Sequence, residues 1–206
     1  MVEHKAPETP DSDGDRPLYG DRSPLLGYLR IGASFAVAIA VLWWADPTPL
    51  LFILGLPFVL AGEWFHTWAH GHLIKTTELI TSGPYAHTQN PLYLGRILMV
   101  TGFLIIARLP GKLNWIILIV AFATFFAYYM PRKTRREGRR LKVFHGDAWV
   151  EYNRSVPVLL PSLTPYAKSA GKTFSLNTML STNREWIMHL FFFAGLAVLF
   201  CKAFIW

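Results

Sequence analysis

The sequence predicts an all-α integral membrane protein with about five transmembrane helices and a cytoplasmic amphipathic helical segment. Three observations predict it. Apolar residues make up 52% of the 206 and charged residues only 16%, whereas a soluble domain carries roughly a quarter charged. The apolar residues fall in blocks of about twenty, the length that a ~30 Å hydrocarbon core asks of a helix. Trp43, Trp44, Trp115, Trp186 and Trp206 stand at the ends of those blocks, where indoles prefer the headgroup region. Mean hydropathy is +0.30. The one cysteine, Cys201, excludes a disulfide framework and a thiolate metal cluster.

Residues 1–24 are polar, rich in Pro and Asp, and net acidic. Without the apolar stretch and small-residue cleavage site of a signal peptide, they read as a disordered tail. Residues 25–44 and 49–68 are the first two spans. Asp46-Pro47-Thr48-Pro49 between them is short enough to impose an antiparallel hairpin. Gly83-Pro84 marks a turn in the next loop. Pro91 suits the first position of the third helix, with Asn90 as its cap, and Gly95 offers close backbone approach. Residues 91–107 and 113–130 form the third and fourth spans around Arg108-Leu109-Pro110-Gly111-Lys112.

After the fourth span comes a basic run, Arg132 to Lys142, broken by one acid, Glu137. At helical spacing Glu137 shares a face with Leu141, His145, Ala148 and Tyr152, and Lys133 lies one turn earlier. Residues 162–185 are Ser/Thr-rich with scattered basic residues and read as an interfacial connector to the last helix, 186–206. The net charge is +7, and most of the positive excess lies between Met130 and Trp186. If the amino terminus is cytoplasmic, the inner loops (69–90, with Lys75, and 131–185) take nearly all of it, and the outer loops keep only Arg108 and Lys112. The bias predicts a multi-pass protein with its amino terminus inside and its carboxyl terminus on the opposite side. Anionic membrane lipids are the natural partner of the basic run. It abuts a membrane helix and lacks a nucleic-acid-binding fold, which argues against nucleic acid.

Glu63, His66, His70 and His72 form a histidine cluster at the end of the second span. His66 and His70 are four apart, share a helical face and could ligate a metal. Glu63 and His66 have the Glu-x-x-His spacing of di-iron helices. A membrane di-iron enzyme needs several such boxes, and His4, His87, His145 and His189 form no second one. The expectation is a polar juxtamembrane turn without metal. Arg96, about one turn into the third helix, is a charge that could snorkel to the surface or pair with Glu63.

Two of these segments share a longer pattern. Gly83 and Tyr85 precede Asn90-Pro91-Leu92-Tyr93-Leu94-Gly95 at a helix start. Glu137, Leu141, Gly146, Trp149, Tyr152, Val156-Pro157 and Pro161 follow after two membrane helices. In order and spacing this resembles the isoprenylcysteine carboxyl methyltransferase family, membrane enzymes that use S-adenosylmethionine, over about half the chain.

The resemblance implies a cofactor-binding core over 69–161 within a single membrane domain, 25–206, whose hairpin is 25–68. It implies S-adenosylmethionine contacts at His72, Glu78, Leu79, Ile80, Tyr85, Asn90, Pro91, Leu92, Tyr93 and Glu137. Lys133 would meet the polar end of the acceptor, and no catalytic residue is singled out. The activity implied is methyl transfer to a lipophilic small molecule or prenylated acceptor at the cytoplasmic surface, with carboxyl O-methylation favoured. Gln89-Asn90 stands where the family often has Arg-His, and Lys133 where it has arginine. Three other readings therefore stay open: a phospholipid amine N-methyltransferase, a scaffold that kept the fold, and a His-ligated metal enzyme.

Overall fold

The computed structural model describes residues 24–73, 78–169, 171–182 and 186–206. The tail expected over 1–24 lies outside them up to residue 23, as does Lys75. Among the described residues 78% are helical and none is in a strand. The helices are α1 (Pro24–Trp44), α2 (Pro49–His72), α3 (Pro91–Ala107), α4 (Leu113–Thr124), α5 (Met130–Ser155) and α6 (Trp186–Phe204). By length and composition α1, α2 and the helical run Pro110–Ser155 can each cross a membrane, and α3 and α6 are shorter apolar helices. The all-α membrane class is the one the sequence predicts.

The chain divides into two compact units, Met1–Ala40 and Val41–Trp206. In the first, α1 exposes Leu25, Leu26, Leu29, Val37 and Ile39, as a helix immersed in lipid does. The second holds the core and the candidate site.

Proline opens α2 and α3 at a position where its missing N–H costs nothing. Thr48 caps α2 by accepting from the Leu51 amide at 3.4 Å. The helix runs through Glu63 and His66 to His72, past the apolar block that ends at Trp68. Between lipid-facing helices there is little hydrophobic drive, so association depends on close packing of small residues. α2 and α3 show this directly. A β-carbon at Gly62 would lie 2.5 Å from the Gly95 carbonyl oxygen, and one at Gly55 would lie 2.7 Å from that of Gly102. Gly55 and Gly62 on one helix, and Gly95 and Gly102 on the other, are each seven apart, so each pair falls on one face.

Around this contact Ala45, Phe52, Val59, Ile106, Ala107, Leu109 and Leu199 are buried together. α6 adds Phe192 against Phe103, centroids 5.5 Å apart, and Phe200 and Phe204 edge-on to Phe52. Lys202 Nζ donates to the carbonyls of Leu42, Trp43 and Ala45 at 2.6–3.0 Å, satisfying acceptors that a helix end leaves open. The two short turns meet at this same end: the Asp46 amide donates to the Ala107 carbonyl at 2.9 Å, and Arg108 lies 3.7 Å from the Asp46 carboxylate.

At the opposite end α4 passes into α5 through a π turn, Phe125–Tyr129, in which the Met130 amide donates to the Phe125 carbonyl. Pro131 has no amide to offer the preceding turn, and one wide turn accommodates the gap. Within α5, Gly146 has φ 53° and ψ −127°, which only glycine adopts readily. The chain folds back there, bringing the Trp149 indole over Gly138. This corrects the helical face read from the sequence. Across Gly146 the periodicity is broken, so Ala148 is exposed, and Trp149 and Tyr152 are buried.

Candidate functional site

The site lies where the loop before α3 meets the start of α5 and the strand-like segment after it. Asn90 is the residue before α3, but its side chain makes no capping bond, contrary to the sequence expectation. Its Nδ2 donates instead to the Val158 carbonyl at 2.8 Å, and its Oδ1 accepts from Lys133 Nζ. Gln89 works in parallel. Its Nε2 donates to the Val156 carbonyl at 2.7 Å, and its backbone amide donates to the Pro157 carbonyl at 2.9 Å. The two amide side chains therefore staple the loop to 156–158.

Further bonds complete the clamp. Thr88 Oγ1 donates to the Leu159 carbonyl at 2.9 Å, and His87 Nδ1 donates to the Ser162 carbonyl at 2.8 Å. Tyr152 Oη donates to the Tyr85 carbonyl at 2.7 Å. Trp149, Tyr152 and Val156 pack with Leu79, Leu141 and Tyr166 beneath it.

Within this frame Lys133, Glu137, Asn90 and Tyr93 converge. Lys133 pairs with Glu137 one turn on, and its Nζ stands 4.4 Å from the centre of the Tyr93 ring, a favourable cation–π distance. Tyr93 Oη and Tyr129 Oη are 2.8 Å apart, so the π turn carries a second tyrosine onto the start of α3. The Tyr85 hydroxyl is pushed well above the usual phenol range by burial, then by Tyr152 and by the charge of Glu137. Glu137 keeps about half its side chain exposed, so one side of the cluster is open.

Of the other residues the resemblance implies, Pro91 is buried in the first turn of α3, and Leu92 and Ile80 are half-buried. Glu78 pairs with Lys172. His72 is buried against Gly83, with Nδ1 3.1 Å from Ser82 Oγ. The structure thus brings together Asn90, Tyr93, Lys133 and Glu137, places Tyr85, His72 and Leu79 in the surrounding frame, and leaves Glu78 at the surface.

His66 and His70 share a face as expected, with ring centroids 4.4 Å apart. His70 Nδ1 lies 2.9 Å from the His66 carbonyl, so that nitrogen carries a proton and is closed to a metal. Glu63 pairs with His189 of α6 and not with Arg96. Arg96 lies 5.8 Å from the Tyr93 ring centre.

Two cavities flank the π turn and share Phe126. One, of about 310 Å³, lies between α3 and α4 and is lined by Tyr93, Arg96, Ile97, Val100, Phe122, Phe125 and Tyr129, among others. The second, of about 320 Å³, is bounded by Met130, Pro131, Thr134, Arg135 and Val158. Sequence reasoning missed Tyr129 and the tether to 156–158. The aromatic run ending at Pro131 was the available signal for a distorted turn.

Residues 50–137, from the first turn of α2 to Glu137, match the family model of the phospholipid methyltransferases. The matching model is thus not that of the isoprenylcysteine enzymes which the motifs resemble. The cobalt-zinc-cadmium resistance protein CzcN of Cupriavidus metallidurans is 28% identical over 150 residues, covering 68% of this chain and 65% of that protein. The chain thus spans just under two thirds of the length of that relative. No solved structure matches this chain.

Proposed function

We propose that this chain transfers a methyl group from S-adenosylmethionine to a lipophilic acceptor where the cytoplasmic face of the protein meets the bilayer. The observation that carries the reading is the convergence of Asn90, Tyr93, Lys133 and Glu137 within or beside the stretch that matches phospholipid methyltransferases. The residues present suit the cofactor. Glu137 is a half-exposed carboxylate in an otherwise basic segment, fitted to an ammonium or to ribose hydroxyls, and Tyr93 beside it offers an aromatic face to adenine. Tyr85 stays protonated and supplies a neutral hydroxyl.

When bound, the cofactor supplies an electrophilic methyl carbon on a sulfonium. The chain's task is then to align the acceptor behind that carbon and to keep water out, without a strong general base. The clamp between 84–90 and 156–162 fixes the polar groups. The apolar walls of the π turn and α3 exclude water from one side. Carboxyl O-methylation of an acidic lipophile is the favoured reaction. Amine N-methylation of a phospholipid is the second reading, supported by the family whose model matches. A methyl-transfer screen with labelled cofactor against a total lipid extract tests the proposal.

The proposed orientation follows from the Lys/Arg bias. In a Cys201→Ser background, single cysteines placed at the exposed positions 78 and 160 should stay unlabelled by impermeant maleimide in intact cells, and a cysteine at 111 should react. Labelling of the first two from outside would reverse the orientation. The histidine cluster is proposed to be metal-free. Purified protein should hold far less than one equivalent of zinc, cobalt or iron, and His66→Ala should leave that content unchanged. Stoichiometric metal lost on substitution of His66 or His70 would overturn this.

A further inference from the structure

We propose that Arg96 selects the acceptor by charge, holding the anionic group of a lipid whose chain lies in the groove between α3 and the π turn. The inference rests on the methyl-transfer reading and assigns the acceptor's side of the same site. The groove's volume, about 310 Å³, is within the range of small-molecule pockets. Ile97, Val100, Phe122, Phe125 and Phe126 line it. Val100 and Phe126 are 45% and 48% exposed, so it opens sideways toward the lipid as well as being bounded by Tyr93. Alkyl or prenyl chains suit these walls, and polar solutes do not.

Arg96 is the charged residue among those lining the groove. The carboxylates nearby are committed elsewhere: Glu63 to His189 and Glu137 to Lys133. Among the described residues no ion pair includes Arg96, whose guanidinium faces the Tyr93 ring. A guanidinium beside an apolar groove gains most from a ligand anion, which it can hold through two parallel hydrogen bonds.

Lys133, which the resemblance implies for the acceptor's polar end, is already matched by Glu137 and Asn90. It has correspondingly less to offer an incoming anion. The Tyr93 ring lies within cation–π range of both cations, and of the two only Arg96 lines the groove. The acceptor's charge is therefore read on the groove side of Tyr93, and the cofactor's on the Glu137 side. A lipid carrying only an ammonium would meet an uncompensated like charge at Arg96 and be disfavoured. The shared chemistry is a lipid anion, from either a long-chain carboxylate or the phosphate of a phospholipid.

The test uses the full chain in phosphatidylcholine nanodiscs with three diazirine probes: a C16 carboxylic acid, a phosphatidic acid and a C16 amine. Photolabelling is mapped by mass spectrometry onto α3 and the π turn for wild type, Arg96→Gln and Arg96→Lys. S-adenosylmethionine is titrated calorimetrically into the same samples. At least one anionic probe should label the groove about tenfold or more above the amine. That excess should vanish in Arg96→Gln and largely return in Arg96→Lys, while cofactor affinity is unchanged. Which anion labels names its source. Equal labelling by the amine and both anions in wild type overturns the proposal. So does an undiminished excess in folded Arg96→Gln, the result a headgroup-facing arginine would give. Failure of wild type to bind S-adenosylmethionine counts against the methyl-transfer reading and leaves the labelling contrast to be judged on its own.

Discussion

Gly95→Val is expected to destabilise the protein by more than about 3 kcal/mol, above the common range for overpacking because the clash is with backbone. The β-carbon alone would stand 2.7 Å from the Gly62 carbonyl oxygen and 3.1 Å from the His66 amide nitrogen. Neither can move without separating α2 from α3. Gly62→Ala should act in the same direction, although alanine is by propensity the better helix former by about 1 kcal/mol. Gly27→Ala provides the control, since nothing lies within 4 Å of its added carbon. There the propensity gain should appear undiminished. Thermal unfolding in detergent, followed by circular dichroism, distinguishes the signs. Equal melting temperatures for Gly95→Val and wild type would show that α2 and α3 do not pack as described.

Glu137→Gln is expected to weaken S-adenosylmethionine binding by roughly 1.5–3 kcal/mol, the range for losing a charged hydrogen bond, or about 10- to 150-fold in Kd. The amide keeps the shape and removes the charge. Folding should be largely spared, because a half-exposed pair with Lys133 contributes little to stability. The core around Phe52, Val59 and Ile106 does not touch it. Calorimetry on well-folded Glu137→Gln with unchanged cofactor affinity would remove Glu137 from the pocket.

Much of this architecture was legible because bilayer thickness dictates block length, and because Pro49, Pro91 and the short turns mark the helix starts. The i,i+4 relation of Lys133 and Glu137 was legible for the same local reason, since helical spacing fixes it. The reversal at Gly146 was not. A periodicity argument assumes one continuous helix, and only the positive φ in the fold reveals that Trp149 returns over Gly138. Gly95 was read correctly as a point of close approach, but what approaches is Gly62 of α2. The roles of Gln89 and Asn90 depend on carbonyls more than sixty residues away, which no local pattern encodes. The partner of Glu63 is likewise 126 residues distant, at His189. Arg96 was visible as an oddity, but its surroundings were not.

The most direct measurement incubates the purified protein with methyl-labelled S-adenosylmethionine and a total lipid extract, then counts label in the organic phase. Methyl transfer predicts protein-dependent label in a lipid fraction, sharply reduced for Glu137→Gln. It also predicts base-labile label if the product is a carboxyl ester and base-stable label if it is an amine. Wild-type protein that is folded yet leaves the organic phase unlabelled, and shows no calorimetric binding of the cofactor, would contradict the account.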